Sequence, residues 1–201
     1  MPKKKTWWNK KLKFGQKFWR GFTRQQKHGI YLIFSGVLLV LVFASWRWHE
    51  SRILAFNRQF EVVETSGVAP VAIKIPKVNI DLAVTEATIT DNTWEISATG
   101  ASHWDNSANP GEGGNIVIYG HNKTNLFGPI RWVSPGEIIE VTGADGKVYE
   151  YKITETVITE PNDVAYVLPK DKETLTLYTC TGLFDSKRYI VVAEPYNEPL
   201  N

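Results

Sequence analysis

The chain holds a single cysteine, Cys180, and downstream of residue 70 just two histidines, His103 and His121. The reactive form of a cysteine is its thiolate, so a thiol becomes a useful nucleophile near neutral pH only beside a base or a cation. His103, His121 and Arg188 are the residues whose types could serve Cys180 in that way. A lone cysteine forms no intramolecular disulfide, which leaves it either as an inert core residue or as a free thiol with chemistry to do. Cys180 by itself does not choose between these.

The segments around these residues are strand-like. Thr174-Leu175-Thr176-Leu177-Tyr178-Thr179 alternates β-branched and apolar residues and delivers Cys180 at a strand end. Arg188-Tyr189-Ile190-Val191-Val192-Ala193 follows after seven residues that include Gly182 and Asp185, so the two runs are expected to pair as a hairpin. Cys180 and Arg188 then face each other across its mouth. His121 ends the apolar run Ile116-Val117-Ile118-Tyr119-Gly120, where the chain leaves a sheet. His103 lies in Ser102-His103-Trp104-Asp105, which reads as a turn-rich loop. Either histidine alone is more often structural than catalytic; a thiol and an arginine at matching strand ends favour His121.

From Val71 onward the chain consists of short β-type runs: 71–75, 82–87, 94–97, 116–119, 138–142, 148–159, 174–179 and 189–193. Between them lie turn signals such as Pro110-Gly111, Pro135-Gly136 and the Asp145-Gly146 of a tight hairpin. Eight strands in this space predict an all-β domain, an antiparallel sandwich or a small closed barrel. With 43% hydrophobic residues there is ample material for its core.

The modest net charge of +2 hides an asymmetry. Residues 1–27 carry ten Lys or Arg and no Asp or Glu, interleaved with Trp7, Trp8, Phe14, Phe18, Trp19 and Phe22. Beyond residue 58 twenty acidic residues face ten basic ones. Residues 28–46, His28 to Trp46, are free of formal charge, and nineteen helical residues rise about 28 Å, close to a bilayer's hydrocarbon thickness. A cleaved signal peptide would have a shorter apolar core and a small-residue cleavage site, which Ala44-Ser45-Trp46-Arg47-Trp48 supplies poorly. The expected organisation is therefore a basic cytoplasmic tail (1–27) lying against anionic lipid, a transmembrane anchor (28–46), a stalk (47–69) and an extracellular β domain (70–201). This excludes a nucleic-acid arm as the reading of the basic tail. The Cys and His content has no zinc spacing, and the loop acids Glu160, Asp163, Asp171 and Glu173 read as solvated, so neither metal nor cofactor is expected.

Several motifs in order resemble the sortases, membrane-anchored cysteine transpeptidases of bacterial surfaces. Thr176 to Cys180 resembles the family's T-L-x-T-C signature, and Arg188 the arginine that opens its next strand. Pro110-Gly111 and Gly114-Asn115-Ile116-Val117-Ile118-Tyr119-Gly120-His121 resemble its P-G-x-x-G-N segment running into the catalytic histidine. Ile73-Lys74-Ile75-Pro76 to Ile80 resembles its opening strand. The likeness covers roughly residues 70 to 195. It implies a closed eight-stranded β-barrel in which Cys180 attacks a sorting signal of LPxTG type, His121 protonates the departing amine and Arg188 steadies substrate and oxyanion. It further implies substrate contacts from Thr179 and from Val164, Ala165, Val167 and Leu168 in the family's specificity loop. Its partners would be sorting-signal-bearing surface proteins and an amine acceptor, a peptidoglycan precursor or a pilin.

Rival readings fit less well. An L,D-transpeptidase would carry a histidine and glycine just before its cysteine, where Leu177-Tyr178-Thr179 stands, and a papain-like peptidase places cysteine before histidine. The remaining alternative is a non-catalytic anchored β-domain, a degenerate sortase used for surface assembly.

Overall fold

The computed structural model of the chain describes residues 21–52, 67–90 and 93–196, in two units, Met1–Arg47 and Trp48–Asn201. Most of the basic tail (1–20) and most of the expected stalk (53–66) lie outside the described residues. Helix α1 spans Arg24–Arg52 and so extends the uncharged stretch at both ends. Thr23 and Gln26 open it as a reciprocal capping box: Gln26 N donates to Thr23 Oγ1 at 3.4 Å and Thr23 N to Gln26 Oε1 at 2.9 Å. Its segment Arg24–Trp46 is long and apolar enough to cross a membrane, and none of it is buried. Leu, Ile, Val and Phe side chains are exposed all around it, Leu32 at 73% and Phe34 at 70%. A helix apolar on every side needs an apolar surrounding, which lipid supplies.

The second unit is built from ten strands: β1 (Pro70–Ile75), β2 (Ile80–Ala87), β3 (Ile89–Thr90), β4 (Thr93–Trp94), β5 (Ala101–Trp104), β6 (Asn115–Gly120), β7 (Ile138–Gly143), β8 (Val148–Thr159), β9 (Thr174–Thr181) and β10 (Lys187–Pro195). Eight of them close a barrel in the order β1-β2-β5-β6-β9-β10-β8-β7, and β3 and β4 form a separate two-stranded ribbon. Closure removes the exposed edges that a strand-rich domain would otherwise present.

Seven of the eight expected strands are barrel strands. The eighth differs: Trp94–Ser97 contributes only to the β3/β4 ribbon, and the missing barrel strand is β5, within the stretch whose sequence reads as a loop around His103. All four residues of β5 are buried, which hides the usual alternation of polar and apolar positions. Its polar groups are tolerated there because they are bonded. Ser97 N donates to Ser102 Oγ at 2.8 Å, and the two ring nitrogens of His103 lie 2.8 Å from Glu86 Oε1 and 3.1 Å from Ala108 O.

The barrel is also not wholly antiparallel. β2 pairs β5 and β6 pairs β9 in parallel, and the second of these pairings matters most. In parallel strands both chains leave at the same end, so the residues after Gly120 and after Thr179, a register pair, emerge side by side. Side chains alternate between two cores. Ile116 and Ile118, Leu175 and Leu177, and Val191 and Ala193 fill the barrel. Val117 and Tyr119, Tyr178, and Ile190 and Val192 form a second cluster on the outer face of β6, β9 and β10, covered by Trp94, Trp104 and Val167. Trp94 meets Tyr119 edge-on at 4.4 Å between ring centroids and stacks on Tyr178 at 5.9 Å. Tyr119 is further fixed by its hydroxyl, which donates to Glu95 O at 2.7 Å.

Candidate active site

Cys180 sits one residue from the end of β9, half-buried, with its thiol free. It packs against the second cluster, so its side chain belongs to the outer face along with Tyr178. Arg188 is its register partner on β10, and alternation puts it on the same face as Ile190 and Val192. His121 follows Gly120 directly at the end of β6, where Gly120 is in register with Thr179. Strand register thus sets Cys180 opposite Arg188 and brings the backbone of His121 to the same end of the barrel.

The backbone around His121 is held from both sides. Its carbonyl accepts from Lys123 N at 2.8 Å and from Phe127 N at 3.1 Å, closing the loop that leaves β6. Gly120 permits that closure: a Cβ there would stand 3.0 Å from Cβ and Cγ of Phe127, which is fully buried. Thr179 Oγ1 donates to Gly120 O at 2.8 Å, fastening β6 to β9 one residue short of both His121 and Cys180.

Arg188 is completely buried. Its Nη1 donates to Asp185 O at 2.8 Å and to Lys187 O at 3.0 Å, whereas its Nε has no partner. It forms no ion pair with a carboxylate among the described residues. The guanidinium also bonds the Tyr178 side chain, and its unpaired Nε is a donor suited to negative charge that develops beside it.

Burial pushes the Cys180 thiol above its ordinary pKa; Arg188 opposes that shift and Asp185 adds to it. Burial likewise lowers His121, reinforced by Lys123 and countered by Asp185. Both directions favour the uncharged forms, so at neutral pH the unliganded pair rests as thiol and imidazole.

The other expected residues divide. His103 is 1% exposed and pairs in register with Ile118, which puts it on the opposite face of the sheet from His121. Ser107 Oγ lies 3.1 Å from its Nε2 but donates to Trp104 O at 2.7 Å, so the Ser107-His103-Glu86 array is a bonded strut with no free hydroxyl to react. Thr179 is not brought together with the others: it is 1% exposed, turned to the barrel side, and its hydroxyl is used on Gly120. In the segment 160–173, Val167 is buried against the outer cluster and Val164 packs partly on it, whereas Ala165 is exposed and Leu168 half-buried. Three of the four loop acids are engaged, and Asp171 is exposed as expected. Asp163 accepts from Thr159 Oγ1 and Ala165 N, Glu160 pairs with Lys187, and Glu173 accepts from Gly111 N, Gly113 N and Tyr151 OH. Among the described residues no three His, Cys, Asp or Glu are placed to hold a metal ion.

Two further groups are absent from the sequence-based set. Asn122 Nδ2 donates to Asp185 Oδ1 at 3.2 Å, joining the loop after His121 to the one after Cys180. Asn115 ties the 160–173 segment to β6. Both asparagines read as ordinary turn or strand residues, and only their partners, more than 50 residues away in the chain, reveal what they do.

Comparisons with known proteins match the barrel that carries these residues. A family model described as a sortase domain matches residues 73–196. Sortase D of Bacillus subtilis is 31% identical over 131 residues, 63% of this chain and 63% of that protein. Sortase A of Listeria monocytogenes is 31% identical over 127 residues, 61% of this chain and 54% of that one. The match therefore spans less than two thirds of either relative's length. Among solved structures, the L. monocytogenes sortase A superposes with a TM-score of 0.54 at 30% identity, covering 66% of this chain and 89% of that one. A Clostridium perfringens sortase D5 transpeptidase gives 0.53 at 30% identity, covering 66% and 80%. A closed barrel of the same build, matched by the family model across nearly all of its strands, makes this chain a member of the sortase family.

Proposed function

We propose that the protein is a transpeptidase that cleaves a Leu-Pro-x-Thr-Gly type sorting signal through a thioacyl intermediate on Cys180 and passes the acyl group to an amine. The observation that carries this reading is the completely buried Arg188, which lies in register with Cys180 and keeps its Nε without a partner.

In the reaction, the Cys180 sulfur as thiolate attacks the carbonyl carbon of the signal's threonine. Negative charge collects on the carbonyl oxygen, where the Arg188 Nε–H donates to it. The C–N bond then breaks as protonated His121 gives its proton to the leaving amine, and a thioester remains. An incoming amine attacks that thioester, loses a proton to His121, and expels the Cys180 thiolate. Because the resting pair is neutral, the ionised pair forms by moving the thiol proton to His121, and Arg188 favours the thiolate product of that transfer. Val164, Ala165 and Leu168 form the wall against which the signal's Leu-Pro packs, with Val167 as the buried base of that wall.

The length and apolar surface of α1 support an anchored enzyme. The ten basic residues of 1–27, eight of them before α1 and two in its first turn, support a cytoplasmic N-terminus and an extracellular barrel. Partners of matching chemistry are surface proteins bearing the signal and an acceptor amine on a peptidoglycan precursor or a pilin lysine.

The test is mass spectrometry of the full-length chain in detergent with a set of Leu-Pro-x-Thr-Gly type peptides, with and without an added amine. An acyl adduct on Cys180 that converts to amide product is the expected result. A thiol that alkylates normally with iodoacetamide yet forms no adduct would favour the non-catalytic assembly reading instead.

A further inference from the structure

Asn115 is 3% exposed at the first position of β6, and every polar atom of its amide is engaged. Its Nδ2 donates to Tyr166 O at 2.8 Å and to Leu168 O at 2.9 Å. Its Oδ1 accepts from Thr176 Oγ1 at 2.7 Å, and Thr176 is itself fully buried on β9. One amide therefore grips the two carbonyls that flank Val167 and is oriented by a hydroxyl on the strand that carries Cys180. The grip is at the middle of a segment that contains no helix or strand between Glu160 and Glu173. Elsewhere that segment is held through Asp163, which bonds Thr159 and Ala165, and through the Val167 N to Val164 O turn.

We propose that Asn115 is a positioning residue for signal selection: by holding Tyr166 and Leu168 it sets the shape of the slot that receives the signal's Leu-Pro, without touching substrate or the reacting atoms. This rests on the transpeptidase reading above. The geometry separates the two duties of the barrel. The Cys180, His121 and Arg188 end is fastened by the Thr179 and Asn122 contacts, while the slot is fastened from the opposite end of β6 by Asn115. Loss of the amide donors is expected to loosen the slot and leave the nucleophile unaltered.

The experiment uses the full-length chain in detergent and its Asn115→Asp variant. The variant keeps an acceptor for Thr176 but replaces both donors with a carboxylate oxygen facing two carbonyls. Three quantities are read: the rate of Cys180 alkylation by iodoacetamide, kcat and KM on a Leu-Pro-x-Thr-Gly peptide and its Ala-Pro counterpart, and hydrogen exchange across residues 160–173. A wall contact of this size is worth about 10–200-fold in discrimination, so the Leu-over-Ala preference should fall about tenfold or more and KM should rise similarly. Alkylation should stay within about twofold and kcat within about threefold, on the same separation of binding from chemistry. Exchange at the Val167 amide should accelerate while β9 and β10 stay protected.

Unchanged KM and preference would overturn the proposal, as would a parallel fall of kcat and alkylation, which would place Asn115 with the catalytic pair. Thr176→Val, which removes the hydroxyl that orients the amide and that also lies 3.3 Å from Tyr166 O, should act in the same direction, and it serves if Asn115→Asp does not fold. A wild-type chain that alkylates but turns over no peptide refutes the functional reading and the selection role with it. Unchanged exchange in Asn115→Asp refutes the grip alone.

Discussion

Arg188→Lys is the sharpest perturbation of the proposed chemistry because it keeps the charge and removes the fork. In the folded chain Arg188 has already committed Nη1 to Asp185 O and Lys187 O, and its Nε is a buried donor without a partner. A lysine ammonium is a point charge that can take up those carbonyls but places no second donor at the Nε position. The loss is thus one hydrogen bond to the developing oxyanion, about 3 kcal/mol, or slightly over two decades in rate. We expect kcat/KM for transpeptidation to fall about 100- to 1,000-fold in Arg188→Lys, with Cys180 still alkylating. Arg188→Ala should lose at least as much activity and, in addition, stability, since two part-buried carbonyls lose a charged donor, a bond of about 1.5–3 kcal/mol each. At about 2–4 °C per kcal/mol for a chain of this size, its Tm should drop by several to about 20 °C while Arg188→Lys stays nearer the wild type. The assay is steady-state transfer of a fluorescent signal peptide to an added amine, paired with a thermal melt. An Arg188→Lys enzyme within tenfold of wild type would refute the oxyanion role of Nε and leave Arg188 as a structural tie.

Other outcomes follow from the same geometry. Burial raises the Cys180 thiol, so iodoacetamide labelling should titrate above an ordinary thiol, which sits at about 8.5; a midpoint at or below that value contradicts the desolvated site. Asp185 raises both Cys180 and His121, so Asp185→Asn should move both titrations to lower pH and speed alkylation at pH 7, with Asn tolerating the positive φ of 58° at that position. A profile that moved upward would show that the loop carboxylate does not face the pair. Thr179→Val orphans Gly120 O and should cost about 1–3 kcal/mol of stability, with activity falling through the misplacement of His121, read as a lower kcat at little-changed KM. His103→Gln should lower Tm through the lost Glu86 and Ala108 contacts while the folded fraction keeps its kcat, whereas His121→Gln should remove transfer without lowering Tm comparably. The reverse pattern would exchange the roles of the two histidines.

Local sequence carried much of this molecule. Nineteen uncharged residues marked α1, because a bilayer's thickness is a length that a run of residues must match. The alternation of Thr174 to Thr179 and of Arg188 to Ala193, with seven residues between, was enough to set Cys180 opposite Arg188, since a short hairpin leaves little freedom of register. Tertiary structure decided the rest. β5 was illegible because a strand buried on both faces by bonded polar groups has lost the periodicity that announces a strand. Period 2 tells which residues share a face but not which face meets a ligand, so Thr179 could be seen next to Cys180 without its inward turn onto Gly120 being visible. The pairing of β6 with β9 joins residues 115–120 to 174–179 across more than fifty intervening positions, and no local pattern names such a partner. Only that parallel, long-range register brings the strand ends that lead into His121 and Cys180 side by side and lets Asn115 reach Tyr166 and Leu168, because both depend on which strand lies alongside rather than on what each strand contains.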